Sequence, residues 1–223
     1  MDDFGPAAPL EQAKREYLTV VRSDVIDAAG HWFGNLFQRL RALEQSLDLA
    51  ESPLAGALRS TTDDLDRLAQ LLLDYIGESG TQLDCIRAAD VMHNFVQLLA
   101  QEFQVRVGPE EPDQSQQELL VDVRALTKVR SYFPALVVEC GTSAGAAVMV
   151  QLAGQSGVNS LSIEVRTEVV CRRLTAAGEL YCAVIDKLVS SFGGEFEFVD
   201  GEGKAATWVF RFPVRRGRGG ANR

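Results

Sequence analysis

The chain has 223 residues, 46% of them hydrophobic and 24% charged, with a formal net charge of −9. That length and composition describe one large or two small globular domains. The acidic balance argues against nucleic acid as the main partner, because phosphate recognition needs a positive surface.

Cys85, Cys140, Cys171 and Cys182 form no C-x-x-C pair and show no metal-ligand spacing, so no metal site is expected and reduced, mostly buried thiols are. No stretch approaches the roughly 20 apolar residues of a membrane span, and the acidic start lacks a signal-peptide pattern. A cytoplasmic protein without a membrane segment is the expectation.

In chain order, residues 1–10 carry Gly5, Pro6 and Pro9 and read as a disordered lead-in. From Glu11 to Leu49 there is no proline, and Leu18, Val21, Val25, Ala28, Trp32, Leu36, Leu40, Leu43 and Leu47 recur at steps of three and four. This predicts a long helix with a coiled-coil-like seam. Ser52-Pro53 then supplies a hydroxyl cap and a proline at a helix start. A second helix follows through Leu54, Leu58, Leu65, Leu68, Leu72 and Tyr75 and stops at Gly77. So short a connection makes the two helices antiparallel neighbours. A two-helix hairpin encloses no core alone, so a homodimeric four-helix bundle is expected over residues 11–79, unless the following domain covers the seam.

Residues 80–214 change pattern. A helix is predicted from Ala88 to Phe103, a short strand at Val105 and Val107, a polar loop from Gly108 to Gln117, then the apolar run Leu119–Val121. A helix through Leu126, Val129, Phe133 and Val137 follows, with Pro134 as a kink or early end. Alternation at Val148/Val150/Leu152 and Leu161/Ile163/Val165 predicts a hairpin. A helix from Gly178 runs to a Gly193-Gly194 stop, and Phe196/Phe198 and Trp208/Phe210/Phe212 make two closing strands. The order gives an α+β chain: a helical hairpin, then an α/β sandwich with one mixed sheet and helices on one face. The basic residues 215–223 read as a disordered tail.

On the first helix, Asp24, Asp27, His31, Asn35 and Gln38 fall at steps of three and four and share one polar face. A histidine in such a row is a candidate exposed nucleophile. Gly30 and Gly34 flank it, each costing about 1 kcal/mol of helix propensity relative to alanine, and each removes bulk where a second protein would approach. Phe33 beside them is a candidate docking residue. Trp32, Phe33 and Phe37 otherwise read as packing, the Asp63, Asp64 and Asp66 run as a solvated helix face, and His93 as structural.

A helical hairpin with a histidine in its first helix, followed by this α/β order, resembles the core of bacterial sensor histidine kinases. The similarity is clearest at Ala183–Gly194, which looks like the family's last helix and its Gly-Gly stop, and at the closing hairpin from Glu195 to Phe212. His31, Asn35 and Gln38 match an H-x-x-x-N-x-x-Q pattern similar to the phosphorylatable helix of the sporulation phosphorelay's histidine phosphotransferase. The family's nucleotide signatures are missing. Tyr132–Glu139 has no asparagine for Mg²⁺, Arg166–Val170 has no D-x-G-x-G turn, and a short segment replaces the flexible lid. Only Gly178 remains of the phosphate-side glycines, and Glu179 beside it would repel a triphosphate.

The resemblance therefore implies a degenerate, ATP-free α/β domain behind a phosphotransfer stem. His31 would take a phosphoryl group from the aspartyl phosphate of one response-regulator receiver domain and hand it to another, with no cofactor of its own, Mg²⁺ being supplied by the receiver. Such chemistry asks for an exposed, neutral imidazole in line with the acyl phosphate, and a free imidazole is mostly neutral at cellular pH. Asp27 would fix the tautomer and Asn35 would complete the catalytic row, while Gly30, Phe33, Gly34 and Gln38 would meet the receiver. Kinases of the family place an acid directly after the histidine, where this chain has Trp32. The alternative is a pseudokinase-like module that binds and sequesters a receiver or kinase without transfer.

One further string invites a different chemistry. Gly141-Thr142-Ser143-Ala144-Gly145 spells G-x-S-x-G, the nucleophile elbow of α/β-hydrolases. Such a triad needs its histidine after the serine, and both histidines of this chain, His31 and His93, precede it. The segment reads instead as a glycine-rich loop.

Overall fold

A computed structural model describes residues 7–77, 82–109, 112–143, 145–154, 160–170, 174–199 and 205–215. The chain divides into two compact units, Met1–Glu78 and Ser79–Arg223.

In the first unit, helix α1 (Ala7–Leu49) and helix α2 (Leu54–Ile76) form the hairpin. The α1 helix begins at Ala7, so Ala7–Leu10 belong to it rather than to a disordered lead-in. Its C-terminus ends in a Schellman turn: Ser52 N–H donates to Leu47 C=O at 2.9 Å and Glu51 N–H to Asp48 C=O at 3.0 Å. The left-handed position, usually glycine, is Glu51 at φ 52°. The Ser52 hydroxyl accepts from Leu54 N–H at 3.3 Å, which starts α2.

The seam between the helices keeps part of the predicted stripe. Leu36, Leu40 and Leu47 are half-buried, whereas Ala28, Trp32 and Leu43 are exposed. Phe37 is buried and Gly30 and Phe33 are half-buried, so the buried side of α1 is turned from the predicted stripe toward Phe33 and Phe37. Antiparallel register is pinned near the turn by Arg59, which bridges Glu44 and Asp48. Those contacts raise the Arg59 guanidinium above its ordinary value, the hydrogen bond to Glu44 most. Asp63, Asp64 and Asp66 are exposed, as expected of a solvated face, and Asp63 and Asp66 lie 3.9 and 3.8 Å from Arg41 across the hairpin.

The second unit contains β1 (Leu83–Arg87), α3 (Ala88–Leu99), β2 (Gln104–Val107), α4 (Pro112–Ser115), β3 (Glu118–Asp122), α5 (Val123–Glu139), β4 (Ala147–Gly154), β5 (Ser160–Val170), α6 (Ala176–Ser190), β6 (Glu195–Val199) and β7 (Ala205–Pro213). Among the described residues there are two sheets instead of the one expected: antiparallel β1-β3, and a five-stranded mixed sheet in the order β2-β4-β5-β7-β6. Among the described strands only β2 and β4 pair in parallel, and α4, β3 and α5 lie in the connection between them. The isolated bridge Leu119–Val214 ties the small sheet to the end of β7.

Burial alternates along the strands. Val148, Val150, Leu152, Ile163, Val165, Phe210 and Phe212 face the helices, while Met149, Arg166 and Glu195 face outward. The core is aromatic: Phe133 meets Phe210 at 5.0 Å, Trp208 at 5.6 Å and Phe95 at 6.0 Å. On the open face, Arg211 pairs with Glu197 at 2.6 Å and Glu195 at 3.4 Å.

Several predicted boundaries move. Pro134 sits inside α5 without ending it, because the missing N–H removes one bond from a helix that buried neighbours on both sides hold. Helix α3 stops at Leu99, four residues early. Arg215 is not part of a disordered tail: its N–H donates to Glu118 C=O at 2.8 Å and its guanidinium lies 3.0 Å from the Glu118 carboxylate. Residues 216–223, the Gly154–Asn159 turn beyond Gly154 and the Asp200-Gly201 turn lie outside the described residues. Among the described cysteines only Cys140 is buried; Cys85 is exposed and Cys182 half-buried, so burial is not their common state.

Candidate functional site

The polar row of α1 is the candidate site. His31, Asn35 and Gln38 are all exposed, at successive turns of one helix side. That side points away from α2, since Phe33 and Phe37, which fall on the opposite side of the wheel, fill the hairpin seam. Phe37 stacks on Phe33 at 6.3 Å, and Phe33 meets Trp32 edge-on at 5.3 Å.

Not every predicted docking residue shares the imidazole's side. At Gly30 an added Cβ would lie 3.9 Å from Leu73 of α2, so this glycine faces its own hairpin instead of an incoming protein. Phe33 is likewise committed to the seam. Gly34 is exposed, with nothing within 4 Å of an added Cβ, and stays on the open side with Gln38. Asp27 lies in α1 one turn before His31, and its side chain lies outside the described residues. His93, expected to be structural, is exposed on α3.

The C-terminal end of α5 lies against the start of α6, where the resemblance would put phosphates. Thr175 caps α6, accepting from Gly178 N–H at 3.0 Å, and its hydroxyl donates to the Glu139 carboxylate. Gly178 is buried: an added Cβ would stand 3.0 Å from Leu174 Cδ2 and 3.5 Å from Glu139 Cβ. Between the two helices Tyr132 and Tyr181 lie 6.2 Å apart, both buried. β5 continues as strand through Val170, with Thr167 buried and its hydroxyl donating to Val169 C=O at 3.2 Å. A strand therefore occupies the stretch where a glycine turn would be needed. Residues 171–173 of the connection to α6 lie outside the described residues.

The G-x-S-x-G string has a structural job. Gly141, at φ 86°, ends α5 in the same turn that ends α1: Thr142 N–H donates to Val137 C=O at 3.4 Å and Gly141 N–H to Val138 C=O at 2.8 Å. Gly145 N–H donates to Glu102 C=O at 2.7 Å, which fixes the loop at the start of β4.

No family model and no curated protein matches the sequence. Among solved structures the chain is similar to full-length ShkA in complex with AMPPNP, at 14% identity and a TM-score of 0.57 over 86% of this chain and 47% of that one. It is also similar to the Acinetobacter baumannii histidine kinase AdeS, at 12% identity and a TM-score of 0.53 over 82% of this chain and 96% of that one. The chain thus spans about half the length of the ShkA structure. The fold is that of a histidine kinase core: an antiparallel helical hairpin followed by an α/β sandwich of the ATP-binding type. No helix among the described residues is long and apolar enough to cross a membrane.

What sequence reasoning missed is the small β1-β3 sheet. Leu83, Asp84, Cys85 and Arg87 are exposed and only Ile86 is half-buried, so β1 carries no alternating pattern to read.

Proposed function

We propose that this protein acts in two-component signalling as a phosphorelay histidine phosphotransferase, carrying a phosphoryl group on His31 between response-regulator receiver domains. The observation that carries the reading is the imidazole: exposed, in one row with Asn35 and Gln38, on the hairpin of a histidine kinase-type core.

In transfer, an imidazole nitrogen attacks the phosphorus of the receiver's aspartyl phosphate, and the P–O bond to the aspartate breaks, leaving a carboxylate and a phosphohistidine. A second receiver aspartate reverses these roles. Asn35 and Gln38 offer amide donors for phosphoryl oxygens, and Gly34 leaves room for a receiver loop. Asp27 is assigned the tautomer-fixing role one turn before His31.

The α5–α6 end supports a reading without ATP. The Glu139 carboxylate bonded to Thr175, the Leu174 side chain against Gly178 and the neighbouring Glu179 do not fit a triphosphate. No step is therefore routed through a nucleotide, and Mg²⁺ belongs to the receiver. Trp32 in place of an acid after His31 favours a second reading, sequestration of a receiver without transfer.

Incubation with a panel of phosphorylated receivers separates the two. Relay predicts acid-labile, base-stable label on the wild type and none on His31→Gln. Sequestration predicts receiver binding that both proteins share and label on neither, and label that persists on His31→Gln overturns both the site and the reading.

A further inference from the structure

The last turn of α5 meets the first turn of α6 through one hydroxyl. Thr175 Oγ1 accepts from Gly178 N–H at 3.0 Å and donates to the Glu139 carboxylate. Glu139 is the final residue of α5 and is half-buried, and that helix has no basic residue in its last turn. A carboxylate there is unfavourable to its own helix, whose C-terminal end carries about half a negative charge. Glu118, Glu164, Glu195 and Glu197 of the same unit each have an arginine partner. Glu139 has none among the described residues, and its hydrogen-bond partner is the Thr175 hydroxyl.

What stands opposite Glu139 is a helix end. The α6 N-terminus carries about half a positive charge, and the N–H groups of its first turn lack carbonyl partners within the helix. Gly178 permits the close approach: an added Cβ would stand 3.5 Å from Glu139 Cβ and 3.0 Å from Leu174 Cδ2. An anion at a helix N-terminus, reached through the capping hydroxyl, is the arrangement by which helices hold oxyanions, and here the chain supplies the anion itself.

We infer that Glu139 is a built-in counter-anion for α6: it fills the helix end that an external oxyanion, such as a phosphate group, would otherwise take, and so holds the α5–α6 end closed without a ligand. The inference rests on the reading of an ATP-free α/β unit and names the group that replaces the ligand there. Glu179, the other acid of this turn, is exposed and serves as the control. Neither a receiver nor ATP enters the test, so its failure leaves the His31 chemistry untouched.

The measurement is calorimetry of the full chain in chloride and in inorganic phosphate at matched ionic strength. Glu139→Gln keeps an acceptor for the Thr175 hydroxyl and removes the charge, so its α/β midpoint should fall by at least about 2 °C. Glu139→Ala also vacates the space, and about 20 mM phosphate should raise its midpoint at least about 2 °C more than it raises that of the wild type. Phosphate stabilises folded chains in general, so the wild type and Glu179→Gln set the baseline and should respond alike. Phosphorus NMR should show the inorganic phosphate line broadened by Glu139→Ala and unchanged by the wild type. Equal midpoints for Glu139→Gln and the wild type would overturn the inference, because the charge would then be idle at the helix end. A phosphate response no larger in Glu139→Ala than in the wild type would overturn it as well. Should Glu139→Ala not fold, the Glu139→Gln comparison decides alone.

Discussion

Replacing Phe133 by alanine tests the account of the α/β unit most sharply. The ring is fully buried and touches Phe95, Trp208 and Phe210 at centroid distances of 5.0 to 6.0 Å. Loss of a buried phenylalanine costs about 3–5 kcal/mol, and each aromatic pair adds about 0.5–1.5 kcal/mol beyond area. The surrounding rings are buried and come from two elements, α3 and β7, so a local shift does not close the cavity, and a cost near ~4 kcal/mol is expected. For a unit of this size, each kcal/mol moves the midpoint by about 3–4 °C, so Tm of the α/β transition should fall by about 10–15 °C. Phe133→Leu should lose only about 1–1.5 kcal/mol. Calorimetry on the full chain measures both. A fall of less than about 4 °C for the alanine variant would mean the rings repack freely, and the description of this core as a fixed aromatic cluster would fail.

Asp122 is buried and caps α5, accepting from Arg124 N–H at 2.9 Å and Ala125 N–H at 3.1 Å. Asp122→Ala should cost about 2 kcal/mol and Asp122→Asn well under half of that, read from urea midpoints at constant m. Glu51 holds the left-handed position at the end of α1, so Glu51→Gly should raise hairpin stability by about 0.5–1 kcal/mol, and any loss of stability would contradict the turn assignment. Mg-ATP at about 1 mM should leave Tm unchanged within about 1 °C, whereas a ligand at a hundred times its Kd would add about 2.7 kcal/mol and shift it by several degrees.

The helical hairpin and the closing half of the sandwich were legible because their signals are periodic. Leucines at three and four, Phe196/Phe198 and Trp208/Phe210/Phe212 at two, and Gly193-Gly194 each declare one geometry. Where apolar residues cover more than one side of a helix, periodicity alone leaves its buried centre open: on α1, Leu36, Leu40 and Leu47 of the predicted stripe are half-buried, but Trp32 and Leu43 are exposed and Phe37 is buried. β1 was invisible because an exposed two-stranded ladder needs no apolar alternation. Pro134 does not end α5, because tertiary packing of the helix outweighs the bond that proline removes. Within the candidate site, exposure of His31, Asn35 and Gln38 followed from their shared polar face. The placement of Gly30 did not, since a glycine between two stripes gives no sign of which neighbour it faces.

Mass spectrometry reads directly whether the His31 imidazole carries the phosphoryl group. After incubation with a phosphorylated receiver and digestion under alkaline conditions, the tryptic peptide Ser23–Arg39 should gain one phosphoryl mass, with fragment ions placing it on His31. The same peptide recovered unmodified from every receiver tested, or the phosphoryl group found on another residue, would contradict the account.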